Sequence, residues 1–181
     1  MPQLKIFSKE QSMHLHMETR LPLEIEQLLG DVGVIYKHID IATSAQQLMS
    51  DDEMMLPLKQ KIMAAYPQHQ FKACSLASVS ELFPNYERLR LRYLSEYYVE
   101  EDEAYLIIEG KCLISMHYED QVLQLMCEKG DFIALPRKIL RWMDMGGKAS
   151  FTVLKCSEQE EAPVIFYTGS NISDRFPRLE L

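Results

Sequence analysis

No apolar run in this 181-residue chain approaches the length of a bilayer span, and the segment from Met1 to Ser8 lacks the long apolar core of a secretory leader. Membrane insertion is therefore not expected, and a cytoplasmic location follows by default. Clustered basic residues are missing as well. The net charge is -8, and the arginines between Glu87 and Arg92 alternate with leucines in the manner of a solvated helix face. Because affinity for a polyanion comes largely from clustered Lys and Arg, nucleic acid is not an expected partner. Cysteine is sparse. Cys74, Cys112, Cys127 and Cys156 are scattered, with no Cys-x-x-Cys pair and none of the density of a secreted scaffold. They are expected to be reduced and mostly buried. There is no internal repeat and no low-complexity segment.

What remains is ordinary for a globular protein, with 47% hydrophobic and 25% charged residues, and the length suits one domain over residues 1–181. Leu4, Ile6 and Phe7 suggest a first strand. His14 and His16 would share a face of an extended segment, but without further ligands nearby they do not make a metal site. Pro22 suits the first turn of a helix carrying Leu23, Ile25, Leu28 and Leu29, with Gly30 just past its end. Residues 32–41 favour a strand with Val34, Tyr36 and His38 on one side. Ser50 to Glu53 forms a capping box before Leu58, Ile62 and Tyr66, although Pro57 would kink or delay that helix. A strand over 71–76 and a helix from Pro84 to about Leu94 complete the first part, residues 1–95.

After Glu96 the apolar period shortens from near four to two. Strands are predicted over 104–109, 112–118, 121–127, 131–135, 141–145, 151–155 and 164–167, separated by turns such as Glu109-Gly110-Lys111 and Lys129-Gly130. Many short antiparallel strands imply a sandwich or a closed barrel. The fold class is thus mainly β (α+β), a single barrel with a few short, mostly N-terminal helices packed outside: residues 1–95 supply helices and edge strands, 96–168 the characteristic region of the barrel, and 169–181 a tail.

The spacing of Tyr97, Val99, Glu103 and Gly110, followed by Gly130, Pro136, Lys138 and Arg141, resembles the two signatures of a cupin barrel, His-x-His-x(3)-Glu-x(6)-Gly and Gly-x(5)-Pro-x-Gly-x(2)-His. The wider pattern is similar to the acireductone dioxygenases of methionine salvage, which are single-domain cupins. It includes Ile6-Phe7-Ser8, Glu101-Asp102-Glu103, Glu109-Gly110, residues 125–131, Pro136, Trp142, Asp144-Met145-Gly146, Phe166-Tyr167-Thr168-Gly169 and Phe176-Pro177-Arg178-Leu179. That resemblance implies an iron or nickel site of His, His, Glu and His. The matching positions here are Tyr97, Val99, Glu103 and Arg141, so only Glu103 keeps its ligand type. The resemblance also implies a substrate arginine where Tyr105 stands, an aromatic residue where Met143 stands, a later arginine where Lys155 stands, and a retained Glu96.

Alternation along one strand would put Tyr97, Val99, Glu101, Glu103 and Tyr105 on the barrel interior, with Arg141 projecting from across it. One carboxylate is too few to hold Fe(II) or Ni(II), and Arg141 carries a fixed charge into the cation's place. No metal cofactor is therefore expected, and Arg141 is expected to pair with Glu103, helped by the hydroxyl of Tyr97 or Tyr105. Catalytic candidates are Glu103, Arg141 and Tyr97. Glu96, Val99, Glu101, Tyr105, Met143 and Lys155 are the candidate pocket.

Three functions are open on this reading. The first is a metal-free barrel binding a small anionic or enolic molecule, with or without acid–base chemistry of the isomerase or lyase kind. The second is a non-catalytic interaction or regulatory protein, which would have a protein partner. The third is a dioxygenase using Fe or Ni through rearranged ligands such as Glu101, Glu103 and Asp144. His69 and His117 stand alone in the sequence and are expected to be structural or exposed.

Overall fold

Both halves of the chain build the barrel: among the described residues, those before Glu96 hold three helices and also contribute four strands to the two sheets. The computed structural model describes residues 1–11, 14–41, 51–80, 82–148 and 150–180, with the backbone alone for 51–54. The capping box at Ser50 lies outside the described residues. In chain order, the first elements are strands β1 (Gln3–Ser8) and β2 (Leu15–Thr19), helix α1 (Pro22–Gly30), strand β3 (Ile35–His38), helix α2 (Asp51–Ala65), strand β4 (Ala73–Ser80) and helix α3 (Tyr86–Leu94). Strands β5 (Tyr97–Tyr98), β6 (Glu103–Glu109), β7 (Lys111–Tyr118), β8 (Gln121–Glu128), β9 (Asp131–Leu135), β10 (Leu140–Asp144), β11 (Ser150–Ser157) and β12 (Phe166–Tyr167) follow. A 3-10 turn at Ile172–Arg175 ends the series.

These strands form two antiparallel sheets. The larger has the order β12-β5-β10-β7-β8-β1-β2 and the smaller β3-β9-β6-β11-β4. Between them lies the main core, which includes Ile6, Tyr105, Ile107, Ile114, Met116, Leu123, Ile133 and Met143. The smaller sheet is covered on its other face too, where Leu106, Phe132, Ala134 and Leu154 pack on Leu58 and Ile62 of α2. Burial on both faces explains why β6 and β9 read as continuous apolar runs rather than alternating ones. On the outer face of the larger sheet, Phe7, Val122 and Trp142 pack against Ile172 and Phe176 of the tail.

Several boundaries differ from expectation for local reasons. The helix expected from Pro84 starts at Tyr86, after Asn85 in a left-handed conformation. Helix α2 runs through Pro57, at the cost of one amide donor. In α1, Ile25 and Leu29 are buried while Leu23 is exposed, so its buried stripe is narrower than its apolar pattern. The pairings of β2 with β1, and of β5 with β10 and β12, have no strong signal in their own short sequences.

The cysteine expectation needs correction. Cys74 and Cys156 lie directly opposite one another on β4 and β11 and form a disulfide, which ties the edge strand β4 to the sheet. Their separation of 82 residues hides this register from the sequence. Cys112 and Cys127, also opposite one another, are buried free thiols. No described helix is long and apolar enough to cross a membrane.

Candidate functional site in the barrel

Arg141 on β10 stands in register with Tyr97 of β5. Glu103 opens β6 on the facing sheet, opposite Leu135 of β9 and Ser157 of β11. Glu103 shares the inward face with Tyr105 and Ile107, while Ala104 and Leu106 face α2. Lys155 on β11 is paired with Tyr105, two residues from the inward Val153, and also faces inward.

These side chains meet at one carboxylate. Arg141 Nη2 donates to Glu103 Oε2, and the Tyr105 hydroxyl donates to the same oxygen at 2.9 Å. Lys155 Nζ lies 2.6 Å from Oε1, close as a charge but off the direction of a good hydrogen bond. The guanidinium carbon sits 5.3 Å from the centre of the Tyr97 ring, and Lys155 Nζ 5.9 Å from that of Tyr105. Tyr97, Val99, Glu103 and Arg141 are each 1% exposed, whereas the side chain of Lys155 is 30% exposed. Lys155 is the member of this group that reaches solvent.

Burial sets the protonation states. It pushes the Tyr97 phenol up to about 12, further helped by Glu103 and opposed by Arg141. The Tyr105 phenol is pushed well above its ordinary value, again first by burial and then by Glu103. Burial opposes the charge of Arg141, but the oxygens of Tyr105, Tyr97 and Glu103 outweigh it and raise its pKa. At neutral pH the tyrosines are uncharged, so two cations, Arg141 and Lys155, face the one carboxylate of Glu103. Arg141 Nε and Nη1 are buried without a protein partner among the described residues.

Not every expected residue joins this group. The predicted alternation from Tyr97 through Tyr105 fails because β5 ends at Tyr98 and the chain crosses to the other sheet before β6 begins at Glu103. Glu101 consequently leaves the interior and accepts the backbone amide of Gln159 at 3.0 Å. Glu96 is buried on the outer side of the larger sheet, where His117 Nδ1 lies 2.7 Å from one oxygen and the Thr168 hydroxyl donates to the other at 2.8 Å. Val99 offers an apolar side chain, and Met143 is buried in the main core. Asp144 faces away from Glu103. It accepts two bonds from Arg90, at 2.8 and 3.0 Å, and one each from the amides of Gly146 and Leu179. A rearranged ligand set of Glu101, Glu103 and Asp144 is therefore not assembled.

Neither His69 nor His117 is isolated. His117 pairs with Glu96, and His69 lies against Asp102 and Glu158. A third polar group missed in the sequence joins Asp131 to Tyr36 at 2.8 Å and His38 at 3.0 Å. Its members are 93 and 95 residues apart and belong to two strands paired only in the folded sheet.

Two antiparallel sheets enclosing a core, with a β6 carboxylate facing a β10 side chain across it, define a cupin barrel. Residues 13–162 match the ARD/ARD' family, and the chain belongs to that family. An acireductone dioxygenase of Yersinia pestis (strain Pestoides F) is 29% identical over 176 residues, spanning 97% of this chain and 98% of its own length. One from Pseudomonas savastanoi pv. phaseolicola is 30% identical over 157 residues, 87% of each chain. The solved structure of acireductone dioxygenase from Bacillus anthracis, with a cadmium ion in its active center, superposes with a TM-score of 0.76. It covers 91% of this chain and 98% of its own at 18% identity, a likeness of fold.

Proposed function

We propose that this chain is a metal-free member of the family whose barrel binds a small anionic or enolic molecule against Arg141 and Lys155. The observation that carries this reading is the contact of Arg141 with Glu103 while two further guanidinium nitrogens are buried with no hydrogen-bond partner among the described residues. Iron or nickel does not fit the residues present. Val99 supplies no donor atom, Tyr97 remains a neutral phenol, and the one carboxylate already has a guanidinium against it. Two cations against one carboxylate leave a surplus positive charge in a medium of low dielectric, and a ligand carboxylate or enolate would balance it.

The same geometry favours binding over proton abstraction. Glu103 is engaged by Arg141, Tyr105 and Lys155, so its oxygens are not free to approach a substrate proton. The Tyr97 phenol, with its raised pKa, is suited to donate a hydrogen bond to a bound oxyanion, whereas the Tyr105 proton is already given to Glu103. A sealed, non-catalytic barrel is the second reading, and the near-complete burial of Glu103, Arg141, Tyr97 and Val99 favours it.

The test has two parts. Protein expressed with iron, nickel and zinc supplied, then purified without chelator, is expected to contain well below one equivalent of iron or nickel. Near-stoichiometric iron or nickel, with oxygen consumption on acireductone, would return the dioxygenase reading named for the relatives. A panel of small carboxylates and enediols is then expected to raise Tm for the native protein and not for Arg141→Met. No shift with any of them would support the sealed barrel.

A further inference from the structure

His69, Asp102 and Glu158 come from three separate segments: the stretch after α2, the residue before β6 and the residue after β11. One donor atom from each lies within 4.8 Å of the others. His69 Nδ1 is 3.7 Å from Asp102 Oδ2, and Nε2 is 3.5 Å from Glu158 Oε1. Asp102 immediately precedes Glu103 but turns to the opposite side of the smaller sheet, so this cluster is separate from the barrel interior. The imidazole is held in place: it stacks on Tyr66, with ring centres 5.4 Å apart and planes 3° from parallel, and packs on Phe71 at 4.5 Å.

Two further observations point to a cation here. His69 Nε2 is buried and has no hydrogen-bond partner among the described residues. The two carboxylates have also already gathered a positive charge. Arg137 Nη2 donates to the oxygens of Glu158 at 3.0 and 2.9 Å, and its Nε lies 3.4 Å from Asp102 Oδ1. That arginine is 56% exposed and lines a cleft of about 340 Å³ with Glu158, Gln159 and Phe166, so it has room to move off the carboxylates.

One imidazole nitrogen and one oxygen from each carboxylate lie within 4.8 Å of one another, and small side-chain adjustments bring such atoms to the roughly 3.4 Å that separates ligands held about 2.0–2.1 Å from a tetrahedral zinc ion. One imidazole with two carboxylates also favours zinc over magnesium or calcium, which prefer all-oxygen sites. We propose that His69, Asp102 and Glu158 form a zinc site on the outside of the barrel, with Arg137 as the resident cation that zinc displaces.

Equilibrium dialysis of chelator-treated protein against Zn²⁺, read by elemental analysis, tests this. One equivalent is expected on the native protein. His69→Ala and Glu158→Gln are expected to bind at least about tenfold more weakly. Arg137→Ala is expected to bind more tightly, because the competing cation is gone, and a gain of this kind cannot come from misfolding. Absence of zinc binding, or binding that His69→Ala leaves unchanged, would overturn the site.

Discussion

Glu103 is held by two cations, whereas Arg141 has one anion, so the two ends of their pair are not equivalent. Arg141→Met leaves the carboxylate with Lys155 and the Tyr105 hydroxyl, and the expected loss of stability is about 1–3 kcal/mol. Glu103→Gln strands a buried guanidinium, for an expected loss of about 3–5 kcal/mol. Urea unfolding of the two variants measures the difference, and equal losses would put Lys155 outside the network. The pair itself was legible in the sequence, because a cation placed where the cupin spacing calls for a ligand needs a nearby countercharge. The contribution of Lys155 to that carboxylate was not, since it depends on the alignment of β11 with β6. Glu101 went astray because alternation is a rule within one sheet, and the chain changes sheets between β5 and Glu103; Glu96 was a candidate through the resemblance alone, and as the neighbour of the inward Tyr97 it turns outward.

Elements with strong periodicity were the easier ones to read. Strands β6 through β11 fall within two residues of their expected bounds, because apolar runs bounded by Gly110, Gly130 and Gly146-Gly147 give clear ends. Elements whose existence depends on a distant partner, such as β2 and the two-residue β5, had no comparable signal, and of the strand expected over 164–167 only Phe166 and Tyr167 pair as β12. Gly110 shows what one of those turn residues does. Its φ is +79°, and a Cβ there would lie 1.9 Å from the carbonyl oxygen of Ser150. Gly110→Ala combines an unfavourable backbone conformation with a clash against β11, and is expected to cost at least about 2 kcal/mol. A thermal melt checks it; an unchanged Tm would mean that the β6–β7 turn is not held against β11 in solution.

At the scale of the whole molecule, Asp144 is where separate parts converge. It joins Arg90 of α3, the chain after β10 through Gly146, and the tail through Leu179. Burial would raise its pKa, but Arg90 and the two amides outweigh burial and hold it below the ordinary carboxylate range. Its stabilisation is therefore full above the unfolded value, about 3.9, and is lost as pH falls through the lower folded value. Asp144→Asn is expected to cost about 2–4 kcal/mol at pH 7, with the gap to the native protein narrowing at pH 3 and below. Equilibrium unfolding at the two pH values tests this, and a constant gap would mean that the charge of Asp144 is not what matters. The barrel, its helices and the family could be read from spacing and resemblance. The convergence on Asp144 could not, because Arg90 and Leu179 carry no local mark of where they dock.

A bound ion is a loan from the surroundings: its occupancy follows supply, competes with other metals and can be withdrawn by a chelator. The guanidinium beside Glu103 belongs to the polypeptide. That carboxylate is neutralised once per chain whether iron is scarce or abundant, and neither air nor peroxide changes the valence of its partner.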